Sequence, residues 1–137
     1  MEAFYGTWNQ VDCTNFDEYL ERIGVSPSLR KKAKTPLAMD ICQDGEKVGV
    51  NIKSPHKKHQ LLVKLEEEFD EITPDKRVAR TTFRMEGNKL VQVQKWDGKE
   101  MRMEYEIKDG KIVMKSHHLF FESPLFLWRC IFSNTFS

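Results

Sequence analysis

Several features that define large classes of protein are missing from this sequence. No apolar run in its 137 residues approaches the roughly 20 residues that a membrane-spanning helix needs. Residues 1–8 contain no basic segment followed by a long apolar stretch, so we expect no secretory signal peptide. The three cysteines, Cys13, Cys42 and Cys130, are odd in number and none stand at C-x-x-C spacing, which predicts neither a disulfide framework nor a zinc site. We therefore expect a cytoplasmic protein in a reducing compartment.

Signatures of catalysis and of nucleic-acid binding are missing as well. The formal net charge of +1 gives no overall attraction to nucleic acid, so we expect no nucleic-acid partner. The sequence contains no P-loop, no dinucleotide-binding fingerprint and no Gly-x-Ser-x-Gly elbow. It therefore predicts no enzyme, no catalytic residue and no cofactor. The histidines in residues 56–59 and 117–118 lack carboxylates and cysteines at ligand spacing, so we expect no metal site.

A pair of short helices is the first feature present, in a chain whose length predicts one domain over residues 1–137. Four apolar residues at i, i+3, i+4 and i+7 form the buried face of the first helix: Phe16, Tyr19, Leu20 and Ile23. Asn15 is the expected N-cap of this helix and Gly24 its end. Ser26 and Pro27 predict the start of a second helix, and Pro36 predicts that this helix ends near residue 34.

From about residue 37 to residue 115 the chain shows the pattern of β-hairpins. Four dipeptides that favour tight turns occur, at residues 44–45, 87–88, 97–98 and 109–110. Between them apolar and polar residues alternate, as around Met101, Met103 and Tyr105. Many short strands with a two-helix insertion predict an up-and-down β-barrel, which removes exposed sheet edges and can enclose a ligand.

Four segments resemble the intracellular fatty acid-binding protein family. They are residues 4–8, 15–20, 65–71 and 90–100, the last of which contains Gln-Lys-Trp-Asp-Gly. The resemblance extends from residue 1 to about residue 115. It implies an all-β fold, a ten-stranded antiparallel up-and-down β-barrel capped by a helix-turn-helix lid. It also implies binding and intracellular transport of a long-chain fatty acid or another small lipid, without catalysis, and we expect a monomer.

The resemblance further implies which residues contact the lipid. Five positions in the lid match family positions that face the acyl chain: Phe16, Tyr19, Leu20, Ile23 and Val25. Eight others we assign to the portal and the cavity wall: Pro36, Ser54, His56, Asp75, Arg77, Gln94, Met103 and Tyr105. Ordinary core packing is the alternative interpretation for the aromatic residues of the lid.

From residue 116 to residue 137 the sequence departs from the family. The family ends in a strand with an Arg-x-Tyr motif that holds the fatty acid head group, and this tail contains no such motif. Arg129 is the only arginine of the tail, and it is our candidate replacement. Because polar and apolar residues do not alternate from residue 125 to residue 132, the sequence leaves open whether the tail forms the last strand.

Tyr105 stands where many family members have an inward-facing arginine. A hydrogen bond to a charged group contributes about 1.5–3 kcal/mol, whereas burial of each acyl methylene contributes about 0.8 kcal/mol. We therefore expect lipid binding to persist with weaker recognition of carboxylates, aided by one hydrogen bond from the Tyr105 hydroxyl. Two alternatives stay open: an aberrant isoform that cannot hold ligand and acts through protein contacts, and a retinoid carrier.

Two charged segments need an interpretation. Four basic residues form the densest positive patch: Arg30, Lys31, Lys32 and Lys34. This patch is either a solvated helix face or a surface for transient contact with anionic membranes, where each basic residue contributes about 1 kcal/mol. A nuclear-entry signal is a third interpretation, which would add the nucleus to the cytoplasmic location. The charge run at residues 64–71 predicts a solvated strand and turn.

Overall fold

A computed structural model of the protein describes residues 1–22, 24–33, 37–54, 58–73, 76–119 and 126–134. After a short 3₁₀ turn at Glu2–Phe4, the described chain contains two α-helices, α1 (Phe16–Arg22) and α2 (Pro27–Ala33). It also contains the strands β1 (Gly6–Thr14), β2 (Ala38–Asp44), β3 (Lys47–Lys53), β4 (Lys58–Val63), β5 (Phe69–Ile72), β6 (Val78–Glu86), β7 (Lys89–Trp96), β8 (Lys99–Lys108), β9 (Lys111–Leu119) and β10 (Phe126–Asn134).

These strands form one ten-stranded antiparallel sheet that curves into a barrel. Successive strands are neighbours from β1 to β4 and from β5 to β10, and pairing of β1 with β10 joins the two halves. The edges of the sheet are β4 and β5, between whose described residues no strand pairing occurs. The prediction of an all-β barrel with a helical lid is confirmed.

Tight turns occur at or next to the predicted positions, and they set the register of the strands. Asp97 and Gly98 have φ angles of 47° and 71°, the left-handed conformation that a type I′ hairpin turn requires. In the β2–β3 hairpin, Asp44 is still paired, so the loop consists of Gly45 and Glu46, one position later than predicted. Because each turn fixes the pairing of the two strands it joins, it also fixes which side chains face the barrel interior.

Both lid helices begin where the sequence predicts. Tyr19 and Leu20 of α1 are buried, and α1 packs against β10 and α2. α2 begins with Pro27, and the Ser26 hydroxyl accepts a hydrogen bond from the Leu29 backbone N–H at 3.4 Å, as an N-cap does. Neither of the two described helices is long and apolar enough to cross a membrane.

The C-terminal tail supplies the closing strand. β10 pairs with β9 on one side and with β1 on the other. Trp128, Cys130 and Phe132 are buried, whereas Arg129 is exposed and Ile131 is partly exposed. The strand therefore alternates in burial. Its alternation is hidden in the sequence because Ile131, on the outer face, is as apolar as its buried neighbours.

Cys13 and Cys130 face each other across the β1–β10 pair and form a disulfide bond, with their Cα atoms 4.1 Å apart. The prediction that the cysteines form no disulfide was wrong. An odd count and irregular spacing cannot show which cysteines a barrel brings together across 117 residues of sequence. Cys42 is a free thiol.

Candidate functional site

The barrel interior contains a cavity of about 220 Å³ beneath the lid. Phe16, Leu20 and Leu29 from the two helices line one side of it. The strands contribute a mainly apolar wall that includes Met39, Val50, Ile52, Leu61, Phe83, Met103, Met114 and Phe132. A mainly apolar wall of this kind favours an apolar chain over water.

Many of the predicted ligand contacts lie together on this wall. They are Phe16, Leu20, Val25, Ser54, Gln94, Met103 and Tyr105. Their contact with a lipid stays a prediction. Tyr19 and Arg77 contact residues of the wall without lining it. The remaining portal and lid candidates lie outside the described residues: Ile23, Pro36, His56 and Asp75.

Tyr19 connects the lid to the barrel by a ring contact and a hydrogen bond. Its ring lies 5.5 Å from the Trp128 ring, and its hydroxyl donates a hydrogen bond to the Met101 sulfur at 2.9 Å. The Phe16 ring lies 4.6 Å from the same indole. Core packing thus describes the contacts of Tyr19, while Phe16 both packs on Trp128 and lines the cavity.

Arg129 does not reach the cavity. It is exposed on the outer face of β10, between Trp128 and Cys130, whose side chains are buried. Neighbouring residues of a strand point to opposite faces, so the pairing that turns Trp128 inward turns Arg129 outward. This position corrects the prediction that Arg129 replaces the arginine of the head-group site.

Tyr105 is buried in the wall, where its hydroxyl donates a hydrogen bond to Gln92 Oε1 at 2.9 Å. Burial, and secondarily the negative charge of Glu71, raise the pKa of Tyr105 far above its ordinary value. The phenol is therefore neutral at physiological pH. The hydrogen bond that we expected Tyr105 to donate to a ligand is already donated to Gln92.

A buried carboxylate, Glu71, also lies in the wall, and its side chain is only 2% exposed. Glu71 Oε2 lies 3.0 Å from His59 Nε2, and Oε1 accepts hydrogen bonds from Thr81 Oγ1 at 2.7 Å and Gln94 Nε2 at 3.1 Å. Burial by itself raises the pKa of Glu71, but these hydrogen bonds and the charge of His59 lower it below its ordinary value. Glu71 is therefore ionised at neutral pH.

His59 and Glu71 connect the two edges of the sheet. His59 belongs to β4 and Glu71 to β5, so their side chains link strands whose described residues do not pair. The prediction that residues 64–71 are a solvated charge run is wrong for Glu71. On β5 the carboxylate is buried while Ile72 is 65% exposed, the reverse of what hydropathy predicts.

Arg77 lies outside the cavity wall and is connected to the hydrogen bonds around Glu71. Its guanidinium donates a hydrogen bond to Gln94 Oε1 at 3.4 Å and lies 4.2 Å from the centroid of the Trp96 ring. Because Gln94 also donates to Glu71, one amide joins the cation to the carboxylate. No lysine or arginine is among the described residues that line the cavity.

The predicted membrane-contact patch is only partly described. The Arg30 guanidinium lies 3.6 Å from Asp17 Oδ1, which ties α2 to α1. Lys31 is exposed. The Lys32 side chain and all of Lys34 lie outside the described residues. Membrane contact stays a prediction that rests on the charge of this face.

A second pocket, of about 420 Å³, lies outside the barrel between β1 and α1. Exposed polar residues such as Asp12, Asn15 and Glu18 line it. A lining of this kind offers an acyl chain little apolar surface to bury. The cavity beneath the lid is therefore the candidate ligand site.

Comparison with known proteins places this geometry among lipid-binding barrels. The model of the lipocalin / cytosolic fatty-acid binding protein family matches residues 5–116, and the match ends where the divergent tail begins. The chain is 37% identical to fatty acid-binding protein 12 of Rattus norvegicus over 118 residues, which cover 85% of this chain and 89% of that protein.

The similarity to solved structures includes most of the tail. The fatty-acid-binding protein 1 of Echinococcus granulosus superposes with a TM-score of 0.87 at 26% identity, covering 98% of this chain and 99% of that one. The apo form of lipid binding protein 8 of Caenorhabditis elegans gives a TM-score of 0.87 at 30% identity, covering 98% and 96%. Despite the divergent sequence of the tail, its described strand β10 therefore completes the same architecture.

Proposed function

The chain belongs to the lipocalin / cytosolic fatty-acid binding protein family, and on this basis we propose that it binds and transports a long-chain fatty acid or a similar small lipid. The observation that supports the proposal most directly is the mainly apolar cavity beneath the lid helices. The family is one of binding proteins, and we propose that this chain catalyses no reaction.

The acyl chain supplies most of the binding free energy. Each buried methylene contributes about 0.8 kcal/mol, so ten methylenes contribute on the order of 8 kcal/mol before the cost of ordering the ligand. One hydrogen bond to a charged group contributes about 1.5–3 kcal/mol. Loss of the family's arginines therefore weakens binding without abolishing it.

Recognition of carboxylates is weaker than in a cavity that contains an arginine. Glu71 is ionised in the wall, and its negative charge opposes a second carboxylate in the same cavity. Tyr105 stands in place of an inward-facing arginine, and its hydroxyl proton is engaged by Gln92. A neutral lipid of the same chain length does not meet this repulsion.

The family supports a cytoplasmic location for this function. We propose that the protein acts as a monomer and that the basic face of α2 contacts anionic membranes transiently during lipid transfer, with the exposed Lys31 taking part. The same basic residues are the basis for proposing entry into the nucleus. Transfer of a fluorescent fatty acid to anionic vesicles should slow at high salt, and a salt-independent rate would contradict the membrane contact.

The two alternative functions have less support. An aberrant isoform that cannot hold ligand would need a disrupted barrel, whereas β10 pairs with both β1 and β9. No observation favours a retinoid carrier. Competition with retinol and retinoic acid separates that alternative from a fatty acid carrier.

The direct test is titration of the delipidated protein with a fluorescent fatty acid analogue, followed by competition with oleate and oleyl alcohol. We expect saturable binding that both compounds displace. A folded protein that shows no saturable binding would refute the proposed function.

A matched pair of variants locates the binding in the cavity. Val50 is buried and lines the cavity, whereas Val78 is 71% exposed on β6. Val50→Phe should weaken binding about tenfold, because the added ring takes the space of roughly two methylenes. Val78→Phe should leave the affinity unchanged, and equal effects of the two substitutions would contradict this location.

A further inference from the structure

Two buried hydrogen-bond donors lack a partner among the described residues. They are the indole Nε1–H of Trp128, a residue that is 5% exposed, and the hydroxyl of Ser116, which is fully buried. The buried indole of Trp8 shows the usual arrangement, because its Nε1–H donates to the Phe4 carbonyl oxygen at 2.9 Å. Buried polar groups are nearly always hydrogen-bonded, and unpaired ones call for a specific explanation.

Both donors face the interior of the barrel. Trp128 lines the cavity. Ser116 stands on β9 directly opposite Trp128 of β10 and also opposite Met103 of β8, and Met103 lines the cavity too. Side chains directly opposite each other on paired strands have Cβ atoms about 4.5–5.5 Å apart. The hydroxyl and the indole are therefore neighbours in one patch of the barrel interior, where Trp128 lines the cavity and Ser116 lies beside it.

The indole is held in place by the lid. Phe16 lies 4.6 Å and Tyr19 5.5 Å from the Trp128 ring. Tyr19 is itself fixed by its hydrogen bond to Met101. An aromatic ring held by contacts with two other rings keeps its N–H in one direction, which makes it a preorganised donor.

The chemistry of the patch indicates an uncharged acceptor. An indole can only donate a hydrogen bond, and a hydroxyl can donate one. Neither group carries the positive charge that a carboxylate requires when it is buried. The described wall of the same cavity includes the carboxylate of Glu71 and no lysine or arginine. A carbonyl oxygen has two lone pairs and no charge, and it can accept from both donors.

We propose that Trp128 and Ser116 form a head-group site for neutral acyl lipids, such as fatty amides and esters, whose carbonyl oxygen accepts a hydrogen bond from the indole N–H and from the hydroxyl. This assignment rests on the proposed function, since it requires an acyl chain in the cavity. It gives the divergent tail a role, because the indole comes from the strand that lacks the family's Arg-x-Tyr motif.

Nuclear magnetic resonance of the full-length, delipidated protein labelled with ¹⁵N-tryptophan tests the site directly. The ligands are oleamide, methyl oleate, oleate and the hydrocarbon 1-octadecene, which has a chain but no acceptor. Oleamide and methyl oleate should move the indole proton signal of Trp128 downfield, and 1-octadecene should not. The indole signal of Trp8, whose proton is already donated to Phe4, should stay in place with every ligand.

Affinities of two variants supply a second measurement. Trp128→Phe removes the N–H and keeps an aromatic ring, and Ser116→Ala removes the hydroxyl. Each should weaken binding of oleamide about three- to tenfold more than it weakens binding of 1-octadecene, as expected for one neutral hydrogen bond. Ser133→Ala, on the same strand as Trp128 and off the cavity wall, is the matched control.

The outcomes separate this assignment from the proposed function. If the neutral lipids bind while the Trp128 signal stays in place, or if oleate binds more tightly than oleamide, the head-group assignment is overturned and the carrier function stands. If none of the four compounds binds, the carrier function is refuted and the assignment with it. A downfield shift with both carbonyl ligands, together with the two losses of affinity, supports the site.

Discussion

Glu71 stays ionised in the cavity wall because His59, Thr81 and Gln94 all contact its two oxygens. Its pKa in the folded protein is lower than the ordinary value of 4.5. The folded state therefore favours the carboxylate, and the resulting stabilisation is complete above about pH 4.5. It is lost as the pH falls through the pKa of the folded state.

Glu71→Gln should lower the free energy of unfolding at pH 7 by roughly 1.5–3 kcal/mol, because hydrogen bonds to a charged acceptor are lost. The difference from the unsubstituted protein should shrink as the pH is lowered below 4.5. Urea unfolding at pH 7 and in the acid range measures both effects. Glu67→Gln, at an exposed position, is the control, and a pH-independent difference for Glu71→Gln would contradict the role of its charge.

The residues of the site differ in how far the sequence predicts them. Family resemblance predicts ligand contacts at Gln94 and Tyr105, which both lie on the wall, and their contact with a lipid stays a prediction. It does not place Glu71, since the short strand β5 buries this carboxylate and exposes Ile72. Hydropathy alone predicts the opposite orientation. The hydrogen bonds that stabilise a buried carboxylate come from β4, β6 and β7, and such distant contacts are not visible in a local pattern.

The closing strand β10 is the element on which the barrel depends most. It separates β1 from β9 and removes the exposed edges that these strands would otherwise have. The tight turns of the hairpins make most other strands predictable, because a turn dipeptide fixes the register on both sides. β10 lacks this signal, since its outward-facing Ile131 is apolar and no turn dipeptide introduces it.

Phe132 and Ser133 distinguish the two faces of β10. Phe132 is buried and lines the cavity, whereas Ser133 is only partly buried and does not line it. Phe132→Ala should lower the free energy of unfolding by roughly 3 kcal/mol or more, and Ser133→Ala should change it by about 0.5 kcal/mol or less. Equal losses in urea unfolding would contradict the register of the closing strand.

The whole molecule is held together by two different links around the barrel. The Cys13–Cys130 disulfide joins the first strand to the last. The His59–Glu71 pair joins the two edges of the sheet, β4 and β5. The overall fold follows from the alternation of residues and the turn dipeptides, but both links connect positions that only the closed barrel brings together.

Cys13→Ser combined with Cys130→Ser should lower the free energy of unfolding by about 2–4 kcal/mol, because the bond restricts a long loop in the unfolded chain. Excess reductant should have the same effect on the unsubstituted protein, as it would in a reducing cytoplasm. Urea unfolding with and without reductant measures this loss in the free energy of unfolding. Cys42→Ser removes only a free thiol, so this variant should lose stability on reduction just as the unsubstituted protein does. A stability of the unsubstituted protein that does not respond to reductant would contradict the link.

The disulfide also makes a covalent ring of almost the entire chain, from residue 13 to residue 130. A protease that cuts this ring once, for example at the exposed β6–β7 turn around Gly87, opens the ring and leaves a single molecule. The two fragments stay joined as one branched chain, and under denaturing conditions they part only after the sulfur–sulfur bond is reduced. Nicked and intact protein therefore have the same mass under oxidising conditions, apart from the one water added at the cut.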